Sequence, residues 1–220
     1  MKLFRVLLAD DHRLLLDAFA RLLEPEYQLV GTAADGRELV AAALRLKPDI
    51  VIADVAMPLL NGLDALEQVK KVLPRTAFII LTASEDSDLA RRALEAGALG
   101  YLLKSGAAGQ LFEAMRTVRE GRRYVSPSMA QMLEETSPIG RANSPGPRRL
   151  TARQREVLQL LAEGRSMKQA AAMLGMSPRT VAFHKYRVMG QFKLKSTADL
   201  VQFAIRERLI SHLSIPTLPS

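Results

Sequence analysis

The chain has 220 residues and contains no cysteine, which excludes disulfides, thiolate metal sites and cysteine nucleophiles. It has no apolar run of the ~18 residues that a membrane span requires, and too few apolar residues precede Asp10 for a secretion signal, so the sequence predicts a cytoplasmic protein. The net charge of +8 is uneven, because residues 1–123 hold 17 basic and 17 acidic residues whereas residues 124–220 hold 14 and 6. A basic C-terminal half is typical of a segment that binds a polyanion.

Five short apolar segments in the first half of the chain predict the strands of a parallel sheet. They are Phe4–Ala9, Gln28–Ala33, Ile50–Ala53, Ala77–Leu81 and Gly100–Leu103. An amphipathic helical pattern follows each of them, the last running from about Ala107 to Glu120. Five strand–helix units in succession predict an α/β domain with helices on both faces of a five-stranded parallel sheet.

Polar residues stand where four of these strands end. Asp10 and Asp11 follow the first strand, Asp54 the third, Thr82 the fourth and Lys104 the fifth. A parallel sheet brings the carboxyl ends of its strands to one edge, where ligands bind. Crowded carboxylates repel one another unless a cation is bound, and Mg²⁺ prefers such oxygen ligands. The sequence therefore predicts a Mg²⁺ site beside an aspartate that is phosphorylated.

These positions carry a resemblance to a known family. Residues 1–120 resemble the receiver domain of response regulators, which has a flavodoxin-like fold, and Met57-Pro58 after Asp54 fits the same pattern. The resemblance implies that Asp54 is the phosphoacceptor and that Asp10 and Asp11 hold Mg²⁺ together with it. It further implies that Lys104 contacts the phosphoryl oxygens, that Thr82 bonds them after transfer, and that Tyr101 is the switch aromatic.

Residues 121–147 separate two domains. Ser128–Glu135 is predicted to be a short helix, and the stretch from Thr136 to Pro147 is rich enough in Pro, Gly and Ser to be a flexible linker. At the other end of the chain, residues 215–220 are predicted to be a loose tail.

Residues 148–214 are predicted to form four helices. Thr151 with Gln154, and Ser166 with Gln169, have the spacing of capping boxes, while Pro178 and Ser196 mark the starts of the last two helices. The pair Met167–Leu174 and Pro178–Phe192 has the pattern of a helix-turn-helix. The sequence therefore predicts an all-α DNA-binding domain.

The second helix of that pair offers the side chains for a DNA groove. These candidates are Arg179, Thr180, Ala182, Phe183, His184, Lys185, Tyr186 and Arg187. From Leu150–Glu156 through Thr180, Val181 and His184, the segment is similar to the LuxR-type output domain of the NarL/FixJ family. Members of that family often carry Lys after the Thr-Val pair, where this chain has Ala182, so the surface expected to read bases is unusually apolar.

The sequence predicts a DNA-binding transcriptional regulator that is controlled by phosphorylation and is not an enzyme. Its expected partners are a sensor histidine kinase, promoter DNA and a second copy of the chain, with Leu200, Val201, Ala204 and Ile205 either core residues or an apolar strip between copies. One alternative is an aspartate-based phosphotransferase, but Ala56 stands where its second acid would lie. The other is a phosphorylation-independent DNA binder that uses its receiver only to dimerise.

Overall fold

The structure is a computed structural model that describes residues 3–135 and 150–210. These residues form two compact units, one built on a β-sheet and one built from four helices. The predicted linker at 136–147 and the predicted tail at 215–220 lie outside the described residues. Within the two described ranges, no helix is both long and apolar enough to cross a bilayer.

One parallel sheet organises the first unit. Its strands are β1 (Arg5–Ala9), β2 (Gln28–Ala33), β3 (Ile50–Asp54), β4 (Ala77–Thr82), β5 (Gly100–Leu103) and β6 (Tyr124–Val125). They lie in the order β2-β1-β3-β4-β5-β6, and every neighbouring pair is parallel. The first five strands follow the doubly wound order of flavodoxin-like folds, so the predicted fold class is confirmed.

Six helices accompany the sheet. They are α1 (Arg13–Leu23), α2 (Gly36–Leu46), α3 (Gly62–Val72), α4 (Ser87–Glu95), α5 (Ala107–Arg119) and α6 (Pro127–Glu135). Residues of α1 and α5 pack in one core cluster with Leu8, Ile52 and Ile79. Alternate strand residues such as Val51 and Ile80 are also fully buried, and strand alternation directs them to the opposite face. Helices therefore cover both faces, as the apolar strands required.

The prediction of five strands was wrong by one, because β6 adds a sixth at the edge. Tyr124 pairs with Gly100 and Val125 with Tyr101, and the backbone N–H of Ser126 donates to the Tyr101 carbonyl at 3.0 Å. A two-residue strand is too short to show an apolar alternation in the sequence. β6 forms because the edge of β5 is available for pairing. The helix predicted after it is confirmed as α6, which packs on α4 and buries Met129 completely.

The second unit consists of α7 (Ala152–Ala162), α8 (Met167–Leu174), α9 (Pro178–Phe192) and α10 (Thr197–Arg206). The predicted capping boxes at Thr151 and Ser166 are both present. Gly175 ends α8 with φ of 63°, the left-handed conformation that glycine adopts without a steric penalty. The helix-turn-helix pattern of the sequence is thus reproduced by α8 and α9.

The apolar residues of α10 belong to the core of this unit. Leu200, Ala204 and Ile205 are buried in a cluster with Leu158 and Val188, and Val201 is packed against it. The core alternative for this strip is therefore confirmed, and α10 does not present these four side chains as an open apolar face.

We expect Gly62→Ala to destabilise the first unit by about 1–3 kcal/mol, the usual range for overpacking. Gly62 begins α3, and a Cβ there would overlap the backbone carbonyl oxygen of Asp54 and lie 3.1 Å from the Val55 Cα. Urea unfolding followed by circular dichroism measures the change.

Gly109→Ala is the matched control, because a Cβ at this exposed position in α5 meets nothing within 4 Å. It should stabilise the fold by about 0.5–1 kcal/mol, since alanine favours a helix over glycine. Equal effects of the two substitutions would contradict the close approach of Gly62 to the Asp54 backbone.

Candidate functional site

The predicted polar residues meet at the carboxyl edge of the sheet. Asp54 is the last residue of β3, Thr82 is the last of β4, and Asp10 and Lys104 directly follow β1 and β5. Adjacent strands end level with one another, because Ala9 pairs with Ala53, Asp54 with Leu81, and Thr82 with Leu103. The register of the sheet thus assembles a site from residues that are far apart in sequence.

Lys104 links two buried carboxylates. Its Nζ lies 2.7 Å from Asp10 Oδ2 and 3.0 Å from Asp54 Oδ2, and both aspartates are almost completely buried. Asp11 is half-buried and lies on the solvent side of the same cluster. Two buried carboxylates facing one ammonium group leave an excess of negative charge at this edge.

The electrostatics of the cluster follow from that burial. Burial raises the pKa of the Asp54 carboxyl above its usual range, and the neighbouring Asp10 adds to the increase, while Lys104 and the Ala56 backbone oppose it. Burial alone would lower the pKa of Lys104, but the ion pairs with Asp54 and Asp10 raise it. Lys104 is therefore cationic, and ionised Asp54 is held at a cost in folding free energy.

His12 is part of this cluster, and the sequence analysis did not identify it. Its Nδ1 lies 2.8 Å from Asp11 Oδ1 and 3.0 Å from Asp10 Oδ1, and its backbone N–H donates to Asp10 Oδ1 at 2.9 Å. The available signal was its position directly after the acidic pair, where a strand end turns towards α1. Imidazole nitrogens and carboxylate oxygens are both common metal ligands.

The donor set fits a divalent cation. Asp10, Asp11, His12 and Asp54 each offer one ligand atom, and all four atoms lie within 4.8 Å of one another. Ligands of one ion with bonds of about 2.0–2.4 Å can lie no farther apart than about twice that length. The three carboxylates can therefore bind one ion together without rearrangement of the strands.

Thr82 and Tyr101 lie beside the acidic cluster on the neighbouring strands. Thr82 is buried, and its Oγ1 accepts a hydrogen bond from the backbone N–H of Ser84 at 3.0 Å. Tyr101 is completely buried on β5, where it pairs with Ile80 on one side and with Val125 on the other. Thr82 therefore contacts the segment that follows β4, and Tyr101 joins β4 to the edge strand β6.

The second candidate site is the outer surface of α9. Val181 and Val188 are buried, whereas the eight predicted DNA contacts are half-buried or exposed. Arg179, Thr180, Phe183, Tyr186 and Arg187 are exposed, and Ala182, His184 and Lys185 are half-buried.

Two large aromatic side chains stand in solvent on this helix. Phe183 and Tyr186 are 57% and 62% exposed. The guanidinium carbon of Arg187 lies 5.8 Å from the centre of the Phe183 ring, and Lys185 Nζ lies 5.7 Å from that of Tyr186. Exposed aromatic rings beside cations are typical of a surface that contacts a ligand.

We expect Asp54→Asn to raise the free energy of unfolding by about 1 kcal/mol at neutral pH in metal-free buffer. Because the folded pKa of Asp54 lies above the unfolded value of about 3.9, its ionised form destabilises the fold at pH values above the folded pKa. That cost disappears as the pH falls towards the pKa of Asp54 in the unfolded chain. The stability gained by Asp54→Asn should therefore shrink on acidification. Urea unfolding of both proteins at several pH values in a chelating buffer measures it.

Asp17→Asn, at an exposed position of α1, is the control and should change stability by less than about 0.5 kcal/mol. A gain at Asp54 that does not depend on pH would contradict the assignment of the cost to the ionised carboxylate.

Comparison with known families gives two matches. Residues 6–116 match the response regulator receiver domain, and residues 148–204 match the luxR family of bacterial regulatory proteins. The first matched region contains the acidic cluster, and the second contains the exposed face of α9.

Three similar proteins match most of this chain, two of them over more than nine-tenths of it. The oxygen regulatory protein NreC of Staphylococcus carnosus is 35% identical over 214 residues, which are 94% of this chain and 99% of NreC. The crystal structure of a LuxR-family two-component response regulator from an Aurantimonas species is 34% identical, with a TM-score of 0.59, and covers 61% of this chain and 97% of that one. The structure of two RcsB dimers bound to two parallel DNAs is 25% identical, with a TM-score of 0.57, and covers 92% and 98%.

The two matched regions place a receiver domain before a LuxR-type helix-turn-helix in one chain, and the Staphylococcus carnosus relative matches this chain across both regions. The chain belongs to the response regulators with a LuxR-type DNA-binding domain, and it is a transcriptional regulator controlled by phosphorylation.

Proposed function

We propose that Asp54 accepts the phosphoryl group and that residues 1–120 act as the receiver that transmits this change to the DNA-binding residues 148–214. The donor is a sensor histidine kinase or a small acyl phosphate. The observation that carries the proposal is the position of Lys104 Nζ, 3.0 Å from Asp54 Oδ2 and 2.7 Å from Asp10 Oδ2. A carboxylate at a strand end, paired with a partly buried ammonium group, is arranged to receive an anionic group.

The transfer step follows from these positions. An oxygen of Asp54 attacks phosphorus, the bond from phosphorus to the donor breaks, and the donor keeps the electron pair. The Lys104 ammonium then lies where it can neutralise charge on the phosphoryl oxygens. Mg²⁺, held by Asp10, Asp11 and Asp54, would supply further charge neutralisation.

Thr82 and Tyr101 are proposed to sense the modified Asp54. The Thr82 hydroxyl now accepts from Ser84 at 3.0 Å, so a bond from this hydroxyl to a phosphoryl oxygen would move the segment between β4 and α4. Tyr101 on β5 is the neighbouring side chain that responds to such a movement. Together, the two residues convert the charge added at Asp54 into a change in the shape of the domain surface.

The edge strand gives this change a path towards the linker. Val125 pairs with Tyr101, Ser126 donates to the Tyr101 carbonyl at 3.0 Å, and α6 packs on α4. Movement of Tyr101 or of α4 would therefore act directly on β6 and α6. We propose that coupling passes through this edge of the sheet, in addition to any dimerisation.

DNA binding is assigned to α9 in a homodimer. Two copies would present two such helices to a site with two halves, and the similar RcsB structure holds dimers bound to DNA. Arg179, Lys185 and Arg187 are proposed to contact phosphates, and Thr180 and His184 the groove. Ala182, Phe183 and Tyr186 are proposed to read base edges, because apolar side chains contact thymine methyl groups.

We expect Asp11→Ala to lower labelling of Asp54 by acetyl phosphate about 100-fold or more in Mg²⁺, because one oxygen ligand of the cation is lost. Intact-protein mass spectrometry measures the labelling rate. Asp17→Ala, on the exposed side of α1, should be labelled like the unmodified chain. Labelling of Asp11→Ala at the normal rate would contradict the metal assignment.

The same preparations test the switch. DNA sites selected from a random pool should bind the phosphorylated chain about 5–150-fold more tightly, which corresponds to a coupling of about 1–3 kcal/mol. Asp54→Asn should show no response to the donor. If Asp54→Asn binds as tightly as the phosphorylated chain, the receiver is a dimerisation module that does not depend on phosphorylation.

We expect Tyr186→Ala and Arg187→Ala to weaken DNA binding in different ways. Loss of the Tyr186 ring should change which sequences are preferred, whereas loss of the Arg187 charge should weaken all sequences alike and reduce the salt dependence by about one ion. Selection from a random pool and salt titrations distinguish the two. Lys193→Ala, at the exposed end of α9, is the control for a general loss of positive charge. Equal loss on specific and random DNA after Tyr186→Ala would show that Tyr186 is not a base reader.

A further inference from the structure

We propose that His12 Nδ1 is a fourth ligand of the cation and makes the site favour a transition-metal ion such as Mn²⁺ over Mg²⁺. This inference rests on the metal site of the proposed function, but it concerns a residue to which that function assigns no role. His12 lies outside the sheet, on the segment between β1 and α1, and its side chain is half-exposed.

The distances fit a shared ion. His12 Nδ1 lies 2.8 Å from Asp11 Oδ1 and 3.0 Å from Asp10 Oδ1. Adjacent ligands of an octahedral ion with bonds of about 2.1 Å lie about 3.0 Å apart. The nitrogen therefore already lies at the separation of a neighbouring ligand from each of the two oxygens, and Asp54 adds a fourth ligand atom within 4.8 Å of the others.

The chemistry of the donor set determines the preferred ion. Mg²⁺ prefers oxygen ligands and keeps its waters, whereas imidazole nitrogen binds first-row transition metals with affinity that rises from Mn²⁺ towards Cu²⁺. Three carboxylates alone would select a hard cation. Addition of one imidazole shifts the preference towards a softer divalent ion while the charge of the site stays the same.

The ring is also free to align with an ion. Because the His12 side chain is 51% exposed, it can rotate without disturbing the core, unlike the almost fully buried Asp10 and Asp54. Its present partners are two carboxylates that the same ion would hold. The competing interpretation is that the Nδ1–H only donates to these carboxylates and orients them from outside the metal.

Electron spin-echo spectroscopy of Mn²⁺ bound to the untagged full-length chain separates the two interpretations. A coordinated imidazole gives modulation from the ¹⁴N nucleus, and we expect this signal in the unmodified chain and its loss in His12→Asn. His212→Asn, at another of the chain's three histidines, is the matched control and should keep the signal. If the unmodified chain shows no ¹⁴N modulation, His12 is not a ligand and the inference is wrong.

Metal titrations give an independent readout of preference. His12→Asn replaces the nitrogen donor by an amide oxygen, so it should weaken Mn²⁺ binding about tenfold while it changes Mg²⁺ binding less than about twofold. His12→Ala should weaken Mn²⁺ by at least as much. Equal losses for the two ions would contradict a role of His12 in metal choice.

Two carboxylate variants distinguish failure of this inference from failure of the proposed metal site. Asp11→Ala and Asp54→Asn should both weaken Mn²⁺ binding if the ion lies at the sheet edge. If they do so and the ¹⁴N signal is absent, only the role of His12 is wrong. If neither affects Mn²⁺ binding, the ion lies elsewhere, and both the inference and the proposed metal site are wrong.

Discussion

The ion pairing of Lys104 with Asp10 and Asp54 is the interaction on which the proposed function of the first unit depends. It places two nearly buried carboxylates opposite one ammonium group, 2.7 Å and 3.0 Å away. An arrangement of this kind contributes little net stability, because removing the charges from water costs as much as their attraction returns. The pair leaves a remaining negative charge that would attract a cation, and with that cation bound the sheet edge could receive an anionic phosphoryl group as proposed.

The position of Asp54 in the sheet connects the site to the rest of the domain. Asp54 is at the end of a strand whose five residues are all buried, so its backbone position is fixed by the core. Gly62 lies so close to the Asp54 carbonyl that a side chain cannot be accommodated there. Thr82 lies on the neighbouring strand and is bonded to the segment that follows it, and Tyr101 pairs with β6, which leads into α6. A fixed carboxylate beside these connected segments supports the switch proposed for Asp54.

The output unit separates stability from recognition on the same helix. Val181 and Val188 hold α9 in the core of the unit, while Phe183 and Tyr186 remain in solvent beside Arg187 and Lys185. Exposed aromatic rings contribute little to the stability of an isolated domain. Two such rings beside cations suit a surface that a ligand covers, which supports the proposed assignment of α9 to DNA.

Much of this organisation could be predicted from the sequence. Buried strands are apolar runs and helix starts are capped by short polar side chains, so their positions follow from local rules. The carboxylates, Thr82 and Lys104 were recognisable because parallel strands must bring their carboxyl ends together.

Only the tertiary structure decided the remainder. The pairing of β6 with Tyr101 depends on an open strand edge, and the core position of Leu200 and Ile205 depends on which helices pack on α10. The approach of His12 Nδ1 to Asp10 and Asp11 depends on how the chain turns after β1. These features arise from contacts between segments, and the free energy of such contacts is set by the neighbours in space rather than by the residues next to them in sequence.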